Sequence, residues 1–193
     1  MAELIYSAIA SLDGYVEDAQ GRFDWAAPDE EVHRFVNDLE RPVGTYLYGR
    51  RMFETMRYWD SNPTDESVPA FVRDFTQIWR KADKIVYSRT LGAVPTPRTR
   101  VERSFDPIQV RALKATAGHD LTVAGADLAG QALAWQLVDE LHLFVVPVVV
   151  GGGKAWLPKR LHLDLELLEA RPVASGFVFL RYRPVRRRPS TES

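Results

Sequence analysis

Two adjacent arginines follow a glycine at the end of a predicted strand, in a pattern suited to phosphate binding. Thr45–Tyr48 is β-branched and aromatic, as in a buried strand, and Gly49, Arg50 and Arg51 then open a predicted helix. The first N–H groups of a helix lack intrahelical partners and attract anions, and arginine adds a planar fork of donors. An ordinary strand-to-helix turn with two solvated arginines gives the same pattern, so this segment alone leaves both interpretations open.

Two further predicted strands end in groups that could meet a phosphate. Ser88-Arg89-Thr90 follows the predicted strand Lys84–Tyr87, and Gly125-Ala126 follows the predicted strand Leu121–Ala124 and opens another helix. Alternatively, Ser88, Arg89 and Thr90 are simply the polar residues of an ordinary surface loop. Because the carboxyl ends of parallel strands meet at one edge of a sheet, we expect the three turns to hold a long ligand with several phosphates.

A carboxylate and an aromatic ring share one face of the helix predicted over Asp29–Leu39. Asp29 can cap this helix, and Glu31 lies four residues before Phe35, with Glu30 beside it in the first turn. Such a pair could hold a flat heterocycle by stacking and paired hydrogen bonds. Acidic first turns are also common in ordinary helices, so both interpretations remain open.

The polar stretch from the Asp13-Gly14 turn to Pro28 is predicted to be a long loop, and loops of this length often bind ligands. Asp24 and Trp25 within it could line a cleft. Alternatively, Trp25 only pins the loop to the core.

Several classes of function are disfavoured by composition. The four histidines are scattered without metal-ligand spacing, so we predict no metal site, and the absence of cysteine excludes disulfides and thiolate nucleophiles. The net charge of −1 argues against a nucleic-acid binder. No signal segment opens the chain and no apolar run approaches the ~20 residues of a membrane span, so we expect a cytoplasmic protein without a membrane partner. Gly151–Lys154 lacks the ending of a phosphate loop and is predicted to be a mobile turn.

The order of predicted elements indicates an α/β fold. Helices alternate with the early strands, which favours a mostly parallel central sheet with flanking helices, and alternating segments near the carboxyl terminus predict antiparallel strands. We predict a single domain over residues 1–184 and a charged, disordered tail over residues 185–193.

The ordered set of motifs resembles the dihydrofolate reductase-like superfamily, in particular the branch of the riboflavin-biosynthesis pyrimidine reductase domain (the RibD C-terminal domain) and its small stand-alone members. The motifs span nearly the whole chain in the family order. They are Ser11-Leu-Asp-Gly-Tyr15, Asp24-Trp25, Tyr48-Gly-Arg-Arg-Met-Phe-Glu54, Lys84-Ile-Val-Tyr-Ser-Arg-Thr-Leu91, Val123-Ala-Gly-Ala126 and Val138-Asp-Glu-Leu-His-Leu143 running into Pro147-Val-Val-Val-Gly-Gly-Gly153.

This resemblance implies a three-layer fold and an NADPH-dependent reductase that transfers a hydride to a pyrimidine- or pterin-like heterocycle. Its nearest analogue by resemblance is the 5-amino-6-(5-phosphoribosylamino)uracil reductase of the riboflavin pathway. The second turn would then contact the 2′-phosphate, and the first and third would meet the diphosphate. The implied cofactor-binding residues are Ala10, Gly49, Arg50, Arg51, Met52, Ser88, Arg89, Gly125, Ala126, Asp127 and Leu128.

On the substrate side, the resemblance implies Glu31 as the catalytic acid, with Glu30 and Asp29 as competing assignments. The implied substrate-binding residues are Asp13, Asp24, Trp25 and Phe35. The loop has Asp24-Trp25 where true folate reductases have a Pro-Trp pair, which favours a riboflavin-pathway pyrimidine over folate.

Two other functions are kept as alternatives. The first is a dihydrofolate or dihydropterin reductase. The second is a non-catalytic or nucleotide-binding dimer module with a degenerate cofactor cleft, favoured by Ala126 where family members often have a second glycine. Family analogy also implies a homodimer, with a contact near Leu141–Val150.

Overall fold

Ten strands and six α-helices form in the computed structural model, which describes residues 1–185. The strands are β1 (Leu4–Ser11), β2 (Tyr15–Asp18), β3 (Val43–Gly49), β4 (Asp83–Tyr87), β5 (Thr99–Glu102), β6 (Asp120–Ala124), β7 (Glu140–Val146), β8 (Gly153–Ala155), β9 (Leu165–Pro172) and β10 (Val178–Pro184). The helices are α1 (Glu30–Glu40), α2 (Arg50–Met56), α3 (Tyr58–Ser61), α4 (Ala70–Lys81), α5 (Pro107–Thr116) and α6 (Ala126–Ala134). Short 3₁₀ turns form at Asp24–Ala26 and Ala174–Gly176.

Eight of the strands form one sheet in the order β5-β4-β3-β6-β1-β7-β10-β9. The six strands from β5 to β7 in this order are parallel, whereas β10 runs antiparallel to both β7 and β9. The predicted fold class, a mostly parallel sheet with antiparallel strands at the carboxyl terminus, is therefore confirmed. The two remaining strands, β2 and β8, form a separate antiparallel pair, which we call the β2–β8 ribbon.

Helices cover both faces of the sheet because successive side chains on its strands point to opposite sides. Tyr6 and Leu47 face a core cluster that includes residues of α5 and α6. Ile9 faces α1 and Tyr48 faces α2 and α4 on the other side. Apolar burial on both faces explains why the central strands are nearly continuous hydrophobic runs.

Strand β7 lies inside the sheet, between β1 and β10. Its side chains at Leu141, Leu143 and Phe144 are buried within one subunit. The segment Leu141–Val150 was expected to contact a second subunit. Strands β1 and β10 of the same chain occupy both edges of β7, and a contact of this segment with a second subunit stays a prediction.

Two segments without a strong sequence pattern form regular structure. The region Tyr58–Asp65 begins with α3, because Trp59 packs against Phe75 with ring centroids 4.7 Å apart. Arg80 strengthens this contact by donating to the carbonyls of residues 59, 60 and 62. The polar stretch after Asp13, predicted to be a long loop, contains β2.

The glycine-rich segment Gly151–Lys154, expected to be a mobile turn, is ordered in the β2–β8 ribbon. All three of its glycines have positive φ, and a Cβ on Gly153 would lie 2.0 Å from the Glu17 carbonyl oxygen. The Asp13 carboxylate accepts hydrogen bonds from the N–H groups of Val150 and Gly151, at 3.2 and 2.8 Å. The glycines are therefore required by backbone conformation and close approach, and they do not indicate mobility.

The predicted tail, residues 185–193, lies outside the described residues except for Val185. The Val185 N–H donates to the Asp164 carbonyl at 2.8 Å. Within residues 1–185, none of the helices combines the length and the apolar content that crossing a bilayer requires.

Gly153→Ala should open the β2–β8 ribbon, because the new Cβ would overlap the backbone of β2. We expect a local cost of about 1–3 kcal/mol, as for other overpacking substitutions. Hydrogen exchange of the Tyr15–Asp18 amides measures this opening, and thermal denaturation reports the global effect.

Gly151→Ala is the matched control, since Gly151 also has positive φ but no atom lies within 4 Å of the added Cβ. It should cost only the backbone strain, about 1 kcal/mol. Equal exchange rates in the two variants would show that the Gly153 contact does not order the ribbon.

Candidate functional site

The three turns singled out from the sequence lie side by side at one edge of the sheet. Strands β4, β3 and β6 are adjacent and parallel, with Gly49 in register with Tyr87 and Tyr48 in register with Ala124. The turns after β4 and β6 therefore flank the turn after β3. We call this region the three-turn edge, defined by residues 49–52, 88–91 and 125–128.

Gly125 is required at the start of α6. Its φ of +97° is disfavoured for residues with a side chain, and a Cβ there would lie 3.3 Å from the Met52 Cβ. Ala126 already belongs to the helix and has no positive φ. No side chain caps the start of α6, so its first N–H groups remain available to an anion.

Gly49 has an ordinary extended backbone, with φ −72°. A Cβ at this position would contact only the Leu128 Cβ, at 3.9 Å. Its missing side chain therefore leaves space between the starts of α2 and α6, without being required by the backbone. Helix α2 has only seven residues, so the positive charge here comes mainly from arginines.

Arg50 connects α2 to the neighbouring turn. Its Nε lies 2.8 Å from a Glu54 carboxylate oxygen, and its Nη1 donates to the Thr90 hydroxyl at 3.1 Å. Arg51 is exposed, and its side chain makes no hydrogen bond or ion pair within residues 1–185. Met52 is half-buried beside Gly125. Arg51 therefore presents a cation that no carboxylate of the described chain neutralises.

The turn after β4 is held by an arginine that the sequence analysis missed. The Ser88 hydroxyl accepts from the Leu91 N–H at 3.1 Å, which tightens the turn. Arg103 Nη1 donates to the carbonyls of Ser88 and Leu91 at 3.1 and 2.6 Å, and lies 3.5 Å from that of Arg89. The Arg89 side chain is exposed and has no partner in the described part of the chain. Arg103 lies one residue beyond the end of β5, and nothing in the sequence signalled its contacts.

Lys154 of the β2–β8 ribbon reaches the start of α6. Its Nζ lies 2.8 Å from the Asp127 carboxylate, whose side chain is 85% exposed. Sequence reasoning missed Lys154 because it treated the glycine-rich segment as mobile. Asp127 is thus paired with a cation within the structure.

The three acids at the start of α1 have different environments. The Asp29 carboxylate accepts from the Ser175 hydroxyl and, at 2.9 Å, from the Val32 N–H, and these bonds lower the pKa of Asp29. Glu30 lies 2.6 Å from Nη2 of Arg34. Glu31 is exposed, and its side chain makes no hydrogen bond or ion pair in residues 1–185. Of the three carboxylates, Glu31 is the one that remains available to a ligand.

Phe35 and Trp25 are packed into the core beneath α1. The Phe35 ring contacts Phe144 and Phe179, with centroids 5.5 and 4.9 Å apart, and the Arg171 guanidinium carbon lies 3.8 Å from its centroid. Trp25 is half-buried in the same cluster, and its Nε1 donates to the Arg22 carbonyl at 3.2 Å. Stacking of a heterocycle on Phe35 would require Arg171 to move.

Three further residues were predicted from the sequence to line the site: Ala10, Asp13 and Asp24. In the described structure they either contact other parts of the protein or make no side-chain contact. Ala10 is completely buried in β1, and Asp24 is exposed at the start of a 3₁₀ turn. The Asp13 carboxylate holds the ribbon, and hydrogen bonds from the Ser11 hydroxyl and the Gly151 and Val150 N–H groups lower its pKa. Asp13 therefore positions the segment beside β1, and contact with a substrate is not needed to explain its geometry.

The described residues contain no group of three or more His, Asp or Glu side chains that could hold a metal ion. The candidate residues therefore form two groups at this edge of the sheet. Cationic turns follow β4, β3 and β6, and a free carboxylate lies near β7 and β10, on the other side of β1.

The RibD C-terminal domain family model matches residues 2–179. This chain belongs to the RibD C-terminal domain family. A relative is the uncharacterized protein YyaP of Bacillus subtilis (strain 168), 26% identical over 181 residues that make up 93% of each chain.

Solved structures of RibD-like proteins share the fold. A proposed riboflavin biosynthesis protein of Shewanella sp. PV-4 matches with a TM-score of 0.75 at 21% identity, over 96% of this chain and 100% of that one. A pyrimidine reductase-like protein of Corynebacterium diphtheriae matches with a TM-score of 0.70 at 16% identity, over 96% and 93%. A diaminohydroxyphosphoribosylaminopyrimidine deaminase/5-amino-6-(5-phosphoribosylamino)uracil reductase of Thermotoga maritima matches with a TM-score of 0.66 at 14% identity, over 95% and 57%.

Arg103→Met should loosen the turn after β4, because the carbonyls of residues 88, 89 and 91 lose a shared charged donor. Loss of about 1 kcal/mol of local stability corresponds to roughly fivefold faster amide exchange in residues 88–91. Hydrogen exchange measured by mass spectrometry tests this.

Arg100→Met is the matched control, because Arg100 pairs only with exposed Glu102, at 3.2 Å, on the same strand. Exposed ion pairs of this kind contribute little to stability, so amide exchange in residues 88–91 should not change. Similar exchange in both variants and the parent protein would contradict the assigned role of Arg103.

Proposed function

We propose that this protein binds NADPH and reduces a pyrimidine- or pterin-like heterocycle, as a stand-alone reductase of its family. The observation that carries the proposal is the three-turn edge. There, the side chains of Arg51 and Arg89 are free of carboxylates and the start of α6 is uncapped. The name of the Thermotoga maritima protein, which includes a uracil reductase activity on a phosphoribosylamino compound, supports the choice of reaction.

The residues present fit a dinucleotide that carries three phosphates. Arg89 and the Ser88 turn suit a terminal phosphate, since arginine offers a bidentate fork. The Gly125 turn exposes helix N–H groups to a diphosphate, and no Cβ blocks the approach at Gly125. Neighbouring strands are about 4.8 Å apart, so the edge from β4 to β1 spans about 14 Å, along which an extended dinucleotide can lie.

This placement directs the reactive end of the cofactor toward β1. When bound, NADPH would supply the hydride. The chain's own contribution would be to hold the phosphates at β4, β3 and β6 and to position the heterocycle near β7 and β10. Glu31, the unpaired carboxylate there, would hold the heterocycle or give a proton to one of its nitrogens.

The alternative of a degenerate cofactor cleft loses its main support from the sequence. It rested on Ala126, but the position that needs glycine is Gly125, with φ +97°. Ala126 is a helical residue, so its Cβ does not disturb the turn. A dihydropterin remains the alternative substrate, and a screen for NADPH oxidation with riboflavin precursors and dihydropterins distinguishes the two.

We also infer a homodimer, as expected from the family analogy. Two apolar side chains on the outer strand β9, Leu165 and Leu167, are exposed and lie two residues apart. Exposed apolar side chains grouped at a sheet edge support an interaction surface. This strand is a candidate contact besides Leu141–Val150.

Titration with NADPH should give a saturable change in nicotinamide fluorescence, and NADH should bind more weakly. Arg89→Ala should weaken NADPH binding roughly ten- to hundredfold and leave NADH binding unchanged, because NADH lacks the 2′-phosphate. Lys81→Ala is the control, since Lys81 is exposed at the end of α4, at the opposite edge of the sheet. Absence of binding for both nucleotides would contradict the proposal.

Glu31→Gln should reduce turnover roughly hundredfold, because the amide cannot supply a proton, while the Kd for NADPH stays the same. Glu30→Gln is the matched control, as Glu30 is paired with Arg34. The measurement is single-turnover NADPH oxidation with the substrate found in the screen. Loss of turnover in Glu30→Gln alone would show that the assignment is off by one residue.

A further inference from the structure

We propose that Lys154 is a further cofactor-binding residue, which the Asp127 carboxylate holds beside the start of α6 until the cofactor's diphosphate displaces that carboxylate. This inference rests on the proposed function. It adds the β2–β8 ribbon to the binding site and gives Asp127 a positioning role in place of a direct contact.

The geometry places the Lys154 ammonium group next to the expected diphosphate. Lys154 belongs to β8, and its Nζ lies 2.8 Å from Oδ2 of Asp127. Asp127 is the second residue of α6, so its carboxylate lies within the first turn, where N–H groups are free. Asp127 holds the ammonium group there. An anion bound to these N–H groups would therefore lie close enough for the lysine side chain to reach it.

The backbone that carries Lys154 is fixed. Asp13 accepts a hydrogen bond from the N–H of Gly151, and β8 pairs with β2, with Lys154 opposite Glu17. Directly after β8, the Trp156 ring stacks on Tyr6 with centroids 6.0 Å apart, and the Tyr6 hydroxyl donates to the Trp156 carbonyl at 2.7 Å. Lys154 can therefore change partner by rotating its own side chain, while the ribbon stays in place.

Charge explains why the ammonium would leave Asp127 for the diphosphate. The Asp127 side chain is 85% exposed and that of Lys154 is 25% exposed, and ion pairs this open to water are weak. A diphosphate bound at the start of α6 carries more negative charge than one carboxylate. Without Lys154, Asp127 would repel that diphosphate, so one lysine neutralises the carboxylate in the free protein and the phosphate in the complex.

The test compares the Kd values of NADPH and NADH by nicotinamide fluorescence in the full chain and its variants. Lys154→Met keeps much of the aliphatic stem but removes the cation. It should raise both Kd values by the same factor, roughly tenfold, because both nucleotides carry the diphosphate. Lys154→Arg retains a cation and should stay close to the parent protein. Arg89→Ala, in contrast, should raise only the Kd of NADPH.

Two further variants separate the ion pair from general charge effects. Lys159→Met removes an exposed lysine from the same connecting segment and should leave both Kd values unchanged. Asp127→Asn should lower both Kd values by roughly two- to fivefold, because the diphosphate no longer competes with a carboxylate for Lys154. The dependence of Kd on salt should also become weaker in Lys154→Met, since one charge contact is lost.

Each outcome bears on a different claim. If the parent protein binds NADPH and Lys154→Met binds it equally tightly, the inference is overturned while the proposed function stands. A rise in Kd for NADPH alone would place Lys154 at the 2′-phosphate and also overturn it, and so would a higher Kd in Asp127→Asn. If the parent protein binds neither nucleotide, the proposed function fails together with the inference.

Discussion

The parallel hydrogen-bond ladder through β4, β3 and β6 decides where every candidate phosphate contact of this protein lies. Since the three strands run in the same direction and are held in register, their carboxyl ends meet at one edge. Segments that are about forty residues apart in the chain thereby form the three-turn edge. The contact between Arg50 and Thr90, at 3.1 Å, shows how closely two of them approach. A strand order in which β4 or β6 no longer lay beside β3 would remove the site without changing any of its residues.

Charge is distributed unevenly along this edge. The chain as a whole has a net charge of −1. At the three-turn edge, however, Arg51 and Arg89 have no carboxylate partner in the described residues, while Arg50 and Lys154 each have one. The edge is therefore locally positive, which favours an anionic ligand although the chain as a whole carries a small net negative charge. The paired cations contribute as well, because exposed ion pairs are weak enough to exchange partners.

The proposed substrate side of the edge depends on different contacts. Packing fixes Phe35 and Trp25 under α1, and capping occupies Asp29. These contacts explain the aromatic and acidic residues of this region as parts of a stable helix start. What they leave open is Glu31, so the substrate side depends on one carboxylate where the cofactor side has several cationic groups. A substrate that binds here would need groups that complement the few polar groups that α1 presents.

The sequence by itself determined the fold class, most elements and the three turns, because hydrophobic periodicity, helix caps and glycine positions are local signals. It also placed Gly125 at the start of α6. Only the tertiary structure decided which acids are free, that Gly151–Lys154 is ordered, and that Arg103 and Lys154 contact the three-turn edge. The reason is physical: a side chain's partner depends on segments distant in the chain, and a glycine that is flexible in isolation becomes fixed when another strand approaches its backbone.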